Sequence, residues 1–245
     1  MQSDDTETSS IAGVVQRRDW FAVVIDLSIV VVGVFLGLQV QEWNARRIER
    51  NLEQNYIERL AVDFTNIEKD LARCQDVYRS SLRALNIVSD AIHANSTSGS
   101  ADTSDLSTEL VQMTAGDPPA GRSSTFVEML STGDLGLIRD TELRAALTKY
   151  DEYAQTHRDI WRSIRSEIAL YNAAVYGSVS LKVDLDAKPM SSIVGYDLEQ
   201  LSRHPNFSAT FNVLAGAKAN LYELCTVQRG LTEQVRRLAQ RRLRP

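Results

Sequence analysis

A continuous apolar run lies close to the N-terminus of the chain. In residues 21–40, fourteen of the twenty positions are Leu, Ile, Val or Phe. A helix rises about 1.5 Å per residue, so twenty residues span the hydrocarbon core of a bilayer, roughly 30 Å. Trp20 and Trp43 flank the run, as aromatic side chains do at membrane interfaces. The pattern predicts a transmembrane helix over residues 20–41, after a short polar tail over residues 1–19.

The free energy of insertion favours the membrane. At roughly −0.3 to −0.6 kcal/mol each, the apolar residues contribute about −4 to −8 kcal/mol, whereas Asp26 opposes insertion by at most ~3 kcal/mol. A cleaved signal peptide and a buried helix of a soluble protein are the two alternatives. The run is long for a signal peptide, and no Ala-x-Ala site follows it. We therefore expect an uncleaved anchor.

Arginine residues on both sides of the run bear on its orientation. Arg17 and Arg18 precede it, and Arg46, Arg47 and Arg50 follow it. The count of Lys and Arg alone favours a cytoplasmic C-terminal side, but long domains translocate largely regardless of such charges. Because the first ten residues are typical of a short disordered tail, we expect the N-terminus inside and the main domain outside the cytoplasm.

Helical periodicity continues after the run and returns twice. Apolar positions recur about every 3.7 residues over 42–94, where Pro and Gly are absent, so the membrane helix is expected to continue as one rod. Asp140 is an expected N-cap for a second long helix over 141–176, which has a heptad stripe. A third long helix is expected over 206–243, although Lys218 and Gln228 interrupt its apolar stripe.

Breaker residues divide the remaining segments. A short helix is expected over 105–115, followed by a Gly-Asp-Pro-Pro-Ala-Gly cluster. Thr125 and Glu128 have the spacing of a capping box that opens a second short helix, and Gly133 is an expected C′ residue. Alternating residues over 179–185 predict either a strand or an extended loop.

The amphipathic helices together define an expected architecture. Three long helices with one apolar face each can bury those faces only by packing together. We therefore predict an all-α protein in which one N-terminal transmembrane helix continues into an elongated antiparallel bundle of three long and two short helices. The bundle domain is expected over residues 42–245, with the short elements closing its far end.

Two cysteines fall on apolar stripes of different helices. If the first and third long helices are antiparallel, with Ala94 level with Pro205, then Cys74 is level with Cys225. Two explanations stand: a disulfide, which requires an oxidising compartment, or two unrelated core thiols. The same register places Arg236 level with Asp63.

The basic C-terminal tail has its own alternatives. It contains five arginines among the last ten residues, including Arg241, which the antiparallel register places level with Glu58. The tail is interpreted first as a solvated ion-pair set against the first helix, and second as a surface for anionic lipid.

Small and acidic residues share one stripe of the apolar run. Gly33 and Gly37 form a GxxxG pattern that lets two helices approach closely in lipid. Asp26 lies seven residues before Gly33, about 20° short of two full turns, so all three lie on one face. Asp26 is interpreted either as a shallow residue that reaches towards water or as a residue of an oligomer interface or ion path.

Two stretches resemble a bacterial family of single-span membrane proteins of unknown function. The first is a Gln-x-x-x-Trp-Asn membrane-exit motif, with Gln39, Trp43 and Asn44. The second is a Gly-Asp-Leu-x-Leu-Ile motif over 133–138. The resemblance implies a membrane anchor and a helical domain, and no activity. We expect a single-pass protein of the cell inner membrane, with its main domain periplasmic rather than cytoplasmic.

Composition and motifs exclude several function classes. The net charge is −5, which disfavours a nucleic-acid binder. His93, His157 and His204 are the only histidines, and no Glu-x-x-His, P-loop, dinucleotide or nucleophile-elbow motif occurs. His157 lies on the heptad stripe and is expected to be a core residue. We expect no catalytic residue, metal or cofactor.

Two functions from different classes remain. The first is a non-enzymatic helical scaffold or interaction protein whose partners are the lipid bilayer and either a second copy or another membrane protein. The second is the small subunit of a proton-coupled membrane complex that uses Asp26. The sequence indicates no particular small-molecule ligand.

Overall fold

The chain folds into long helices with a few short elements between them. The computed structural model describes residues 8–98, 105–186, 191–203 and 207–243. The described elements are α1 (Thr8–Ser98), α2 (Ser107–Gln112), α3 (Ser124–Thr132), a 3-10 helix (Asp134–Leu137), α4 (Thr141–Gly177), β1 (Val179–Val183), β2 (Ser191–Tyr196), α5 (Leu198–Ser202) and α6 (Phe207–Leu243). The protein is therefore predominantly α-helical, as predicted.

The long helices agree with the periodicity at their centres and differ at their ends. Helix α1 begins at Thr8, so part of the expected polar tail is helical. The third long helix is expected from residue 206, and α6 is described from Phe207. The described residues do not include His204, Pro205 or Arg244. Asp140 caps α4 as predicted, because its carboxylate accepts the backbone N–H groups of Glu142 and Leu143.

The chain divides into two compact units, Met1–Glu53 and Gln54–Pro245. In the first unit, α1 is exposed along its length from Val24 to Leu52. An 18-residue window of this helix has a mean hydropathy of 2.0, and none of the window is buried. The helix is therefore long and apolar enough to cross a membrane, and its apolar surface is not covered by the described residues.

The second unit is built from four segments that run alternately in opposite directions. Contacts along the connection between α1 and α4 show its course: Ser81 bonds to Met113, Arg73 to Asp117 and Arg59 to Glu128. Rising numbers on α1 meet falling numbers on the connection, so this connection descends beside α1. The ring centroids of Phe64 on α1 and Tyr150 on α4 lie 4.8 Å apart. Helix α6 descends against both long helices, because its rising numbers meet falling numbers on α1, from Cys74 to Glu68, and its C-terminal end meets the start of α4.

The four-segment arrangement differs from the expected bundle of three long helices with the short elements at its far end. Helices α2 and α3 are two pieces of a broken second segment, and only α2 lies at the end of the unit that holds the C-terminus of α1. Helix α3 and the 3-10 helix lie at the other end, where Tyr56 donates a 2.7 Å hydrogen bond to Asp134. The short elements therefore do not all close one end of the bundle.

Buried apolar side chains form two clusters in the second unit. The larger cluster joins Phe64, Leu71, Met129, Leu147 and Val235 with their neighbours. The second cluster, at the end that holds the C-terminus of α1, is made by side chains of α1, α2, α4, α5 and α6. This packing of apolar stripes supplies most of the driving force for folding.

A β-hairpin follows α4 at the second cluster. Strands β1 and β2 are antiparallel, with Val179 opposite Tyr196 and Leu181 opposite Ile193. Of the two alternatives for 179–185, the strand is correct for Val179–Val183. Neither β2 nor α5 was expected, because the sequence of β2 (SSIVGY) does not alternate apolar and polar residues and α5 has only five residues.

The caps of the short helices correct one prediction and confirm another. The N-cap of α3 is Ser123, whose hydroxyl accepts the N–H of Phe126, so the Thr125 and Glu128 capping box is wrong. Glu128 instead pairs with Arg59 on α1. Gly133 ends α3 with a left-handed backbone (φ 81°), as predicted.

The basic tail pairs with residues other than those expected. Arg236 pairs with Glu68 at 3.0 Å and not with Asp63. Asp63 instead accepts hydrogen bonds from the segment that opens α3. Arg241 pairs with Glu142 at 2.8 Å and not with Glu58, because α6 also faces α4 at this end.

Candidate functional site

The site residues predicted in and beside the membrane segment are exposed in the first unit. These residues include Trp20, Asp26 and Trp43, each of which is exposed. A Cβ atom added at Gly33 or Gly37 would meet no atom within 4 Å. The structure therefore presents the predicted glycine face without a partner from the described residues of this chain.

A second feature is the break in the descending segment of the bundle. We call residues 113–122, between α2 and α3, the break segment. Its Gly-Asp-Pro-Pro-Ala-Gly cluster cannot form a helix, because Pro lacks the N–H group and disfavours a helical residue before it. Its carbonyl groups are turned towards the three long helices and need donors from side chains.

Each long helix supplies two side-chain donors to main-chain carbonyl groups of the break segment. Every one of these donors reaches a different main-chain carbonyl oxygen of the segment. The bonds are Ser81 to Met113 (3.0 Å) and Tyr78 to Asp117 (2.8 Å) from α1, Asn172 to Thr114 (3.2 Å) and Tyr150 to Gly121 (2.9 Å) from α4, and Lys218 to Ala115 (2.5 Å) and Gln228 to Ala120 (3.5 Å) from α6. These donors replace the helical hydrogen bonds that the break removes.

Lys218 is the most unusual of these donors. It is 0% exposed, and within the part of the chain that the structure describes it forms no ion pair. Burial lowers the pKa of Lys218 to about 8, because the charged ammonium is costly to desolvate. The hydrogen bond to the carbonyl of Ala115 thus explains why a lysine interrupts the apolar stripe of α6.

Gln228 is the centre of a buried polar network. Its amide nitrogen donates to the Tyr150 hydroxyl at 3.0 Å, and its amide oxygen lies 2.6 Å from Nδ1 of His157. With this amide orientation, Nδ1 of His157 carries the proton and donates. Burial lowers the pKa of His157, although the bond to Gln228 opposes the shift. His157 is therefore a core residue, as expected from its place on the stripe.

The break segment is also held by charge. Arg122 forms two bonds to Asp151 of α4, from Nε at 2.5 Å and from Nη2 at 2.7 Å. Asp151 is 5% exposed, so the pair is largely shielded from water. A two-bond guanidinium–carboxylate pair fixes both partners in orientation.

A disulfide joins Cys74 of α1 to Cys225 of α6, with Cα atoms 6.3 Å apart. Both residues are buried in the larger cluster. The bond lies on the level that the antiparallel register of these two helices predicts. It ties the first and last segments of the bundle together across 151 residues of sequence.

The buried polar groups of the bundle stabilise its fold. The buried hydroxyl, amide and ammonium groups described above each serve a backbone carbonyl or one another. Among the described residues, no group of three or more His, Cys, Asp or Glu side chains is placed to hold a metal ion. The signals that could have located this network were the breaker cluster together with Lys218 and Gln228 on an apolar stripe.

No protein-family model matches the sequence, and no curated protein or solved structure does so either.

Proposed function

We propose that the protein is a membrane-anchored, non-enzymatic helical scaffold, with residues 21–40 crossing the bacterial inner membrane. The observation that carries the proposal is the uncovered apolar surface of α1 in the first unit. A core helix of a soluble protein buries its apolar residues, whereas none of this window is buried. Lipid is the solvent that suits such a surface.

The disulfide supports a periplasmic bundle. Disulfides persist in oxidising compartments and are rare in the bacterial cytoplasm. Cys74 and Cys225 are bonded in the second unit, so this unit belongs on the oxidising side. The N-terminus is then cytoplasmic. The translocation of a long domain overrides the opposite orientation that the arginines after the apolar run favour.

The interior of the bundle supports a role without catalysis. The break segment accepts hydrogen bonds from three buried side chains, those of Tyr150, Gln228 and Lys218. A catalytic group needs access to a substrate and freedom to exchange a proton. A rigid bundle held by a disulfide and by paired helices suits the display of a surface to a partner.

The test uses the full chain in bacterial membranes. Washed membranes are extracted with alkaline carbonate, and we expect the wild-type protein in the pellet. The variant with Val32→Arg and Leu36→Arg should move to the supernatant, because two charges at the centre of the span reverse its insertion free energy. Wild-type protein in the supernatant would refute the anchor.

The side of the membrane is tested separately. In spheroplasts with intact inner membranes, external protease should degrade the bundle, while disrupted cells serve as the control for access. Protection in intact spheroplasts would place the bundle in the cytoplasm and refute the periplasmic assignment while leaving the anchor in place.

One observation favours a second function, the proton-coupled subunit. Asp26 is the one acidic residue in the apolar run, and an ionisable residue at this depth is costly to retain. Its test is Asp26→Asn beside Ser28→Ala, another polar change in the same turn. If Asp26→Asn is expressed normally and changes neither the localisation of the protein nor the phenotype of the cells, the proton-coupled function is refuted.

A further inference from the structure

One exposed face of α1 continues beyond the apolar run. Ile48 and Leu52 are 53% and 46% exposed and belong to the first unit. They lie about 12 and 18 Å along the helix axis from Val40, the end of the run, among charged residues. The lipid chains that cover the run do not reach these two side chains, so lipid does not explain their exposure.

These two residues repeat the glycine face. Eleven residues make three helical turns plus about 20°. Ile48 lies eleven residues after Gly37, and Leu52 lies eleven after Gln41, which flanks the same face. An 11-residue repeat keeps two neighbouring helices in contact over many turns with only a slight right-handed supercoil. The face therefore continues from the membrane into water, with the polar residues Gln41 and Asn44 between Gly37 and Ile48.

We propose that this face, Gly33, Gly37, Ile48 and Leu52, binds the same face of a second copy of the chain in parallel. The proposal rests on the membrane anchor proposed above. Two copies inserted in the same direction bring identical residues to the same depth, so Gly33 meets a glycine and Ile48 meets an isoleucine. Small residues let the backbones approach within lipid, and the large apolar pair is buried outside it.

The flanking charges fit a parallel pair. Arg47 and Glu49 lie on opposite sides of Ile48, each about 100° around the helix. In a parallel two-fold pair, one flank of a helix faces the other flank of its partner. Arg47 therefore faces Glu49 of the partner subunit, twice by symmetry, whereas an antiparallel pair brings like flanks together.

The first test is cross-linking of the full-length protein in vesicles of phosphatidylethanolamine and phosphatidylglycerol. Single Ile48→Cys and Leu52→Cys variants are oxidised and compared with Arg50→Cys, which lies on the opposite side of the helix at the same height. The dimer band should be about fivefold stronger for the two face variants, because a disulfide forms only between close Cβ atoms. Equal bands at all three positions, or none in vesicles that contain the protein, would overturn the dimer.

The second test reverses charges in the same vesicles. Arg47→Glu should lower the dimer fraction about 2- to 10-fold, since it replaces two attractive pairs by repulsive ones. Arg47→Glu combined with Glu49→Arg should restore the wild-type fraction, while Arg46→Glu on the back of the helix should have little effect. A loss for Arg46→Glu as large as for Arg47→Glu would refute the interface.

Failure of the anchor gives a different result. In that case the protein does not sediment with the vesicles, so the membrane fraction contains no protein to cross-link. Protein that sediments but shows no preference for Ile48 and Leu52 contradicts the dimer alone.

Discussion

Lys218 shows how a single side chain links the sequence to the stability of the bundle. A lysine on a buried stripe must either find a carboxylate or lose its charge, because the interior does not solvate an ammonium group. Here its one described hydrogen bond goes to the carbonyl of Ala115, and its pKa is lowered to about 8. Near neutral pH the folded state therefore bears a desolvation cost that the unfolded state does not.

Lys218→Met should change how stability depends on pH. Because the folded pKa is about 8 and the unfolded pKa is 10.5, the unfolded chain binds more protons between these values. The stability of the wild type should therefore rise by about 2 kcal/mol between pH 7 and 9.5, from this residue alone. The variant should lose that rise, measured by urea unfolding of the full chain in detergent.

A matched control for this prediction is Lys182→Met, which changes an exposed lysine of β1. It should keep the wild-type pH slope. Measurements stop at pH 9.5 because burial raises the pKa of Tyr78 and of Tyr150, and such residues lower stability at higher pH. An identical slope for Lys218→Met and wild type would show that Lys218 is not the source.

At the scale of elements, the sequence predicted what depends on long periods and missed what depends on one or two contacts. The three long helices follow from stripes that extend over many turns. The caps at Gly133 and Asp140 follow from backbone chemistry that acts within a few residues. The cap at Ser123 was missed because Thr125 has equally suitable chemistry, and the choice is made by Asp63 on α1. The donors to the break segment were missed as a network because they come from three helices far apart in sequence.

Gly133→Ala should destabilise the bundle through the backbone alone. Gly133 has a φ of 81°, where an L-residue with a Cβ is strained, yet an added Cβ meets no atom within 4 Å. The expected loss is about 1 kcal/mol in the free energy of unfolding. Gly136→Ala is the control, because it also has space for a Cβ and does not have a positive φ. Equal losses for both variants would argue against the left-handed cap as the cause.

At the scale of the whole molecule, the disulfide and the alternating segments both compensate for the break in the second segment. The second segment is broken, so it cannot stabilise the bundle by a continuous apolar stripe as the other three do. The break segment is held instead by side-chain donors and by the Arg122 and Asp151 pair. The Cys74 and Cys225 bond fixes the first segment to the last, and so limits how far the bundle can open around the break.

The variant with Cys74→Ala and Cys225→Ala should therefore be less stable than the wild type. A disulfide that closes a loop of this length restricts the unfolded chain, and its removal is expected to cost about 2–5 kcal/mol. Trp161, the one tryptophan of the second unit, reports unfolding of the bundle in urea by its fluorescence, because it packs partly buried against the larger cluster. Reductant should lower the wild-type midpoint to that of the variant and leave the variant unchanged. If wild-type protein isolated from bacterial membranes without reductant already unfolds at the midpoint of the variant, the thiols are free in the cell. The bundle would then belong in a reducing compartment.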